Sequence, residues 1–405
     1  MRPIRETIAL DEAREMIAGA TTPIERVERV GLAEACGRVL AADVVSSMDV
    51  PPFARAAMDG YAVVASDTFG ASQLGPNVLR LVETVYTGQV PTRAVARGEC
   101  TEIATGAPMP AGADAVVMVE DTRREGHRVT IGVGAAPGQF INPRASEAAA
   151  GEVVIRPGRR LDYRDVAALA AFGHSSVLVY QRPVVAIIPT GDEIVEVSAL
   201  PRESQIRNSN AWSLAAQVER AGGIPRVSGV ARDQIAHTRE AVERALDADL
   251  LLLSGGVSAG KYDVVEVALA ALGAQIVFDR VLIQPGRPLV FGRVRGKFFF
   301  GLPGNPASTM VTFELFARAA LELLAGQREP ALEMPLARLT QDFRHQTGLT
   351  RFLPARLGAG GAEVTPVPWS GSSDVPAMAR SRVYLVADAG RAEWRAGDLI
   401  RVLLR

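Results

Sequence analysis

Two apolar runs, Leu250–Leu253 and Phe298–Phe300, each end in a glycine-rich turn, and each turn leads into helix-forming sequence. The first turn reads SGGVSAG over 254–260 and the second GLPGNPAS over 301–308. Turns of this kind at the carboxyl ends of neighbouring parallel strands present backbone N–H groups and helix N-termini to an anion. The surrounding residues, 180–326, alternate two kinds of segment. Val184–Ile188, Arg226–Val230 and Gln275–Phe278 join the two runs as strand candidates. Ala211–Ala221, Gln234–Leu246, Val264–Leu272 and Ala307–Leu324 are helix candidates. The alternation predicts a three-layer α/β domain with a mostly parallel sheet and a pocket for a phosphorylated ligand.

The rest of the chain reads differently. A length of 405 residues exceeds one ordinary core, so several domains are expected. Residues 10–19 have the apolar spacing of a short amphipathic helix, and 24–45 read as a helical or connecting stretch broken at Gly37. Residues 46–143 are dense in Gly and Pro between short β-branched runs (Val78–Val85, Ala115–Val119, Val129–Val133), which predicts an irregular, mainly β domain. Helix-forming sequence returns at Asp162–Phe172. After a linker at 326–330 come Leu336–Leu339, Arg351–Leu357, Val383–Val386 and Leu399–Leu403, the pattern of a small β-barrel-like domain.

Composition narrows the function. Acidic and basic residues nearly cancel, at a net charge of -1, so no bias toward nucleic acid or a membrane surface is expected. Lys261 and Lys297 are the two lysines; arginine carries the remaining cationic charge. Cys36 and Cys100 form no CxxC or Cys/His cluster, which fits a reducing compartment. The charged N-terminus and the lack of a long apolar run lead to the expectation of a soluble, cytoplasmic protein without a membrane span.

Several constellations could carry chemistry. In the first turn, Gly255 and Gly256 let the backbone approach a phosphate, and Ser254 and Ser258 add hydroxyls. Asp263, at the next helix start, either caps that helix or holds a cation. In the second turn, Pro303 and Pro306 stiffen the chain. Asn305 either caps the following helix or reads a ligand edge, and Ser308 lies one turn in. Gln284-Pro285-Gly286-Arg287-Pro288 places a guanidinium on an extended loop, suited to a tetrahedral oxyanion or to plain solvent. Glu193, beside Asp192, and Asp233 follow strands and are either Mg²⁺ ligands or caps. Asp59 and Thr105 sit in Gly-containing turns where a structural role would suffice.

Together these strings resemble one family, the molybdopterin molybdenumtransferases (the MoeA and gephyrin E-domain group). The likeness is carried, in the family's order, by Pro51–Val63 (PPFARAAMDGYAV), Ile103–Val117 (IATGAPMPAGADAVV), Ile188–Ile194 (IPTGDEI), Ser254–Asp263, Gln284–Pro288, Gly301–Ser308 and Gly371–Arg380 (GSSDVPAMAR). The resemblance implies a homodimer of four-domain subunits: 1–26 with 180–326 as the α/β molybdopterin-binding domain, 27–45 with 144–179 as a connecting and dimerisation domain, 46–143 as the mainly β domain, and 327–405 as the barrel domain. It implies that molybdate and adenylylated molybdopterin are the substrates, and that AMP leaves with the help of Mg²⁺. Asp59, Thr105, Glu193, Asp233 and Asp263 would be catalytic, with Glu193, Asp233 and Asp263 at the metal. Ser254, Gly255, Gly256, Ser258, Gln284, Arg287, Pro303, Asn305, Ser308, Arg351 and Ser372 would bind substrate. The 46–143 domain of one subunit would face the α/β domain of the other. The molybdopterin adenylyltransferase and molybdoenzyme maturation proteins are the implied protein partners.

Some positions depart from the family pattern. Ala56 stands where serine is usual, Glu102 where arginine is usual, and Asn142 where arginine is usual; the segment 139–149 differs as a whole. These departures put the inter-subunit half of the site in question. They leave open a tungstate-inserting enzyme or a low-activity paralogue acting as a dimeric scaffold, and the SGG and GLPGNP strings, which the resemblance also places in the related adenylyltransferase domain, leave open a molybdopterin adenylyltransferase.

Overall fold

The computed structural model describes residues 7–256, 264–330 and 332–404. Ser258 and Asp263 therefore lie outside the described residues.

A six-stranded sheet forms the centre of the α/β region. Its spatial order is Ile224–Val227, Val184–Pro189, Leu250–Ser254, Lys297–Leu302, Pro288–Val294, Gln275–Arg280. The first four strands are parallel, and Pro288–Val294 is antiparallel to both neighbours. Alternate residues serve opposite faces. Val185, Ile187, Leu250 and Leu252 pack with Ala211, Leu214 and Val218 of helix Asn210–Arg220. Ala186, Ile188, Leu251 and Leu253 pack with Val242, Val265 and Leu269 on the other side. A strand covered on both faces needs a continuous apolar run, and each of these fully buried leucines contributes about 1.5–3 kcal/mol. Helix Leu10–Ala20 joins the first face through Ala13 and Ile17.

Register fixes where the turns begin. Pro189 pairs with Ser254, and Ser254 with Leu302, so three strands end level. Their following turns emerge side by side.

The antiparallel strand Pro288–Val294 was not expected from the sequence, because Gly292 interrupts its β-branched pattern. The fold needs that glycine: a Cβ there would lie 2.4 Å from the Gln275 carbonyl oxygen and 2.9 Å from the Phe299 ring. The expected helix Ala307–Leu324 holds a π-helical turn at Phe313–Ala317 between Pro306–Thr312 and Arg318–Leu324. The stretch 24–45 is mainly connecting, with one helical turn at Leu32–Ala35. Val27–Gly31 is a strand because Ser176–Tyr180 pairs with it along its whole length.

The mainly β region is a second six-stranded sheet, ordered Ala115–Met118, Gly60–Val63, Glu99–Ile103, Asn77–Val85, Arg128–Ile131, Thr122–Glu125. Tyr61 and Val63 face one apolar cluster and Ala62 another. The C-terminal strands Thr350–Leu357, Glu363–Pro366, Leu336–Leu339, Leu399–Leu403 and Val383–Ala387 close on themselves as a five-stranded barrel. Phe352, Tyr384, Val386 and Leu403 of this barrel share a core with Leu302 and Phe316 of the α/β region. A short strand, Ile283–Gln284, also leaves the α/β region to pair with Thr350 and Arg351. Among the described residues, no helix is long and apolar enough to cross a membrane.

Candidate active site

Two cavities open where the level strand ends meet the barrel. The larger, about 710 Å³, is lined by the turns after all three strands, including Thr190, Glu193, Ser254, Gly255, Pro303 and Asn305. The smaller, about 380 Å³, is lined by the loop Gln284–Pro288 together with Trp369, Gly371 and Ser372. Pro288 and Ser308 line both, so the cavities adjoin.

The glycine turns are shaped by contact. Gly255 has φ +100, and a Cβ on it would lie 2.7 Å from the Thr190 carbonyl oxygen; Gly256 has φ +64, with Val265 Cγ2 only 2.6 Å from such an atom. Neither position tolerates a side chain. The Gly255 N–H donates to the Leu302 carbonyl at 3.1 Å. The sequence reading expected that N–H to face the ligand; it ties two strands together instead, and the glycine's role is close approach.

Asn305 was expected to cap its helix or to read a ligand. Its side chain makes no cap hydrogen bond and donates to Ser372 Oγ at 3.0 Å. The Ala307 N–H donates to the Ser372 carbonyl at 2.9 Å, so the second turn and the GSSD string are clasped. Asp374 sets that string. It accepts from the Ser370 and Ala377 N–H groups, both at 2.9 Å, and these bonds hold its carboxyl below the usual carboxylate range. Gly286, at φ +103, lets the Gln284–Pro288 loop lie against helix Pro306–Thr312; a Cβ there would come within 2.4 Å of Thr312 Cγ2. Arg287 and Gln284 are exposed at the smaller cavity. Arg351 stands in register with Gln284, and its Nε is buried without a hydrogen-bond partner. A buried unpaired guanidinium N–H is costly, although Arg351 itself lines neither cavity.

Of the expected carboxylates among the described residues, Glu193 reaches the larger cavity and Asp233 lines neither cavity. The Glu193 carboxylate folds back over Gly191, which has φ +141. Asp192 and Asp233 bracket each other: the Asp192 N–H donates to Asp233 Oδ2 at 3.3 Å and the Asp233 N–H to Asp192 Oδ1 at 3.2 Å. Among the described residues, no group of three or more His, Cys, Asp or Glu side chains could hold a metal ion. Mg²⁺ needs only one or two carboxylates when phosphates and water complete its shell, so Glu193 at the cavity is compatible with it.

Asp59 and Thr105 are brought together but lie apart from both cavities. Asp59 Oδ1 accepts from the Thr105 N–H at 2.6 Å, and that bond, with the Thr105 hydroxyl, holds the carboxyl below its usual range. Neither residue lines either cavity.

The unusual positions have local explanations. Ala56 is 1% exposed within an apolar cluster with Ala62, Val85 and Ile103. Glu102 accepts from Arg124 at 2.6 Å and from Thr84 Oγ1 at 2.8 Å, so its negative charge is paired within the sheet. Asn142 and Ile141 pair with Arg55 and Ala56, and Arg55 bonds Glu147 at 2.7 Å, which anchors the altered 139–149 segment.

Sequence reasoning missed Asn210, Arg207 and Trp369, which also line the cavities. The string Asn208-Ser209-Asn210 before a helix was a signal, but it reads first as a cap. Asn208 does cap, accepting from the Ala211 N–H at 3.1 Å.

Comparison with known proteins covers nearly the whole chain. Residues 8–173 match the MoeA N-terminal region (domains I and II), 186–323 a probable molybdopterin binding domain, and 336–404 the MoeA C-terminal region (domain IV). A molybdopterin molybdenumtransferase of Staphylococcus epidermidis is 31% identical over 403 residues, covering 99% of this chain and 96% of the relative; one from Staphylococcus aureus is 30% identical over the same span. A crystal structure of the molybdopterin biosynthesis moeA protein from Pyrococcus horikoshii OT3 superposes with TM-score 0.84 at 32% identity, over 99% of this chain and 100% of that one. A molybdenum cofactor biosynthesis protein from Pyrococcus furiosus shares the fold at TM-score 0.62 and 21% identity.

Proposed function

The chain belongs to the MoeA family of molybdopterin molybdenumtransferases, and we propose on that premise that it inserts molybdate into adenylylated molybdopterin with release of AMP. It is a transferase of molybdenum cofactor biosynthesis. The observation that carries the finer reading is the junction of two cavities at Pro288 and Ser308. The larger suits a nucleotide-linked pterin, and the smaller, with Arg287, Gln284 and Ser372, suits a tetrahedral oxyanion.

In this reading a molybdate oxygen or a water attacks the phosphoanhydride, the anhydride P–O bond breaks and AMP leaves. No protein nucleophile is needed, so this chain's groups bind, orient and neutralise. Ser254 and the glycine turns receive the phosphates. Arg287, Arg351 and Ser372 hold the oxyanion beside the pterin. Glu193 and Asp233, with Asp263, would hold Mg²⁺, which when bound offsets the charge developing on the phosphate oxygens.

Asp59 and Thr105 enter from a second subunit. Their separation from the cavities of their own chain supports a homodimer in which each site combines two protomers. The four-domain division given above is part of the same proposal, as is a cytoplasmic location, which suits the free thiols Cys36 and Cys100. The molybdopterin adenylyltransferase and molybdoenzyme maturation proteins are the proposed protein partners. The test is AMP release from adenylylated molybdopterin on addition of molybdate and Mg²⁺, with ATP absent. Release supports insertion; no AMP release, with pyrophosphate formed instead from ATP and free molybdopterin, would contradict it.

A further inference from the structure

The two glycine turns are joined by one side chain. Asn210 opens helix Asn210–Arg220 and lines the larger cavity. Its Nδ2 donates to the Gly304 carbonyl at 2.7 Å and to Ser254 Oγ at 3.0 Å. A carbonyl can only accept, so the amide nitrogen must face Gly304, and the amide orientation is thereby fixed.

That orientation has a consequence for Ser254. A hydroxyl oxygen that accepts from an amide keeps its own proton for donation elsewhere. Ser254 is 4% exposed and lines the larger cavity, so the cavity is where an acceptor would meet that proton. A phosphate oxygen is such an acceptor. Pinning the Gly304 carbonyl also turns the N–H of the next residue, Asn305, the opposite way, because the peptide is planar and trans.

The helix carrying Asn210 is itself held at several points. Gln217 donates to the Met310 carbonyl at 3.1 Å and to Glu314 at 2.8 Å. Arg160 donates to the Ala221 and Arg220 carbonyls at the far end, at 3.4 and 3.2 Å. An amide fixed on a braced helix is pre-organised, as a positioning group must be.

We propose that Asn210 is a positioning residue for phosphate recognition: it polarises Ser254 so that its hydroxyl donates into the cavity, and it locks the Pro303–Asn305 turn to the Ser254–Gly256 turn. This rests on the proposed assignment of the larger cavity to a phosphorylated ligand.

The test uses Asn210→Asp, which keeps the shape but reverses the hydrogen-bond polarity. An aspartate would accept the Ser254 proton and repel both the Gly304 carbonyl and a phosphate. Calorimetric affinity for AMP is measured for the wild-type protein, Asn210→Ala, Asn210→Asp, Ser254→Ala and the Asn210→Ala/Ser254→Ala double variant, each checked by circular dichroism. The expected losses are about tenfold for Asn210→Ala and about a hundredfold for Asn210→Asp. In the Ser254→Ala background, Asn210→Ala should cost clearly less than about tenfold, because only the tie to Gly304 is left to lose. A merely steric role gives the opposite order, with the isosteric aspartate binding better than alanine. That order, or full additivity with Ser254→Ala, overturns the inference while AMP binding by the wild-type protein stands. Failure of the wild-type protein to bind AMP would instead remove the cavity assignment and the inference with it.

Discussion

Gln284 lies in parallel register with Arg351, the one on a short strand leaving the α/β region and the other on a barrel strand. This pairing brings the loop Gln284–Pro288 to the barrel and so builds the wall of the smaller cavity. The barrel is thereby a structural part of the site.

Gly286 is the tightest point of that wall. Gly286→Ala should destabilise the protein by about 1–3 kcal/mol, from a forced positive φ and a clash with Thr312. Chemical denaturation measures this. Thr312→Ser removes the clashing methyl and keeps the hydroxyl bond to the Ser308 carbonyl at 2.8 Å. The double variant should therefore recover part of the loss.

Glu102 and Arg124 form a part-exposed pair within the mainly β sheet. Glu102→Arg should lower stability through like-charge contact, and Glu102→Arg with Arg124→Glu should restore it. A double-mutant cycle by thermal unfolding is expected to give a coupling of about 0.2–1 kcal/mol. Zero coupling would return Glu102 to the pool of unexplained departures.

Asp374 gives a pH signature. Its folded pKa is depressed by two N–H donors, so the stability it confers is present above the unfolded value of about 3.9 and is lost as pH falls through the folded one. Asp374→Ala should lower the unfolding temperature at neutral pH, and the gap from the wild-type protein should close in acid. A constant gap across a pH series of melting curves would show that the carboxylate charge is not what orders the loop.

Shared sites predict complementation. Asp59→Asn and Arg287→Ala should each abolish turnover with the fold intact. Co-expressed, they should regain about a quarter of wild-type specific activity, because half the dimers are mixed and each mixed dimer has one intact site. No recovery would place Asp59 and Arg287 of the same chain in one site.

Sheet and turns were legible for a physical reason. Leu250–Leu253 is apolar at every position because both faces are covered, and SGG can only follow such a strand as a tight turn. The barrel strands carried the alternation of a one-sided surface. Asn210 was not legible as a site residue, because its partners lie 44 and 94 positions away and meet it only through the parallel register. The setting of Ala56 was not legible for a related reason: its side chain belongs to a small apolar core drawn from distant strands. Motif strings reveal which residues are used together, but which of their groups remains free depends on neighbours that the string does not contain. Gly255, whose N–H is bonded to Leu302, shows the same limit.

The most direct measurement is a crystal structure of the protein soaked with AMP and tungstate, the heavier analogue of molybdate. The account predicts a nucleotide phosphate at the Ser254–Gly256 turn and the oxyanion against Arg287 and Ser372, on either side of Ser308. Density for both guests elsewhere, or for the oxyanion away from the Gln284–Pro288 loop, would contradict it.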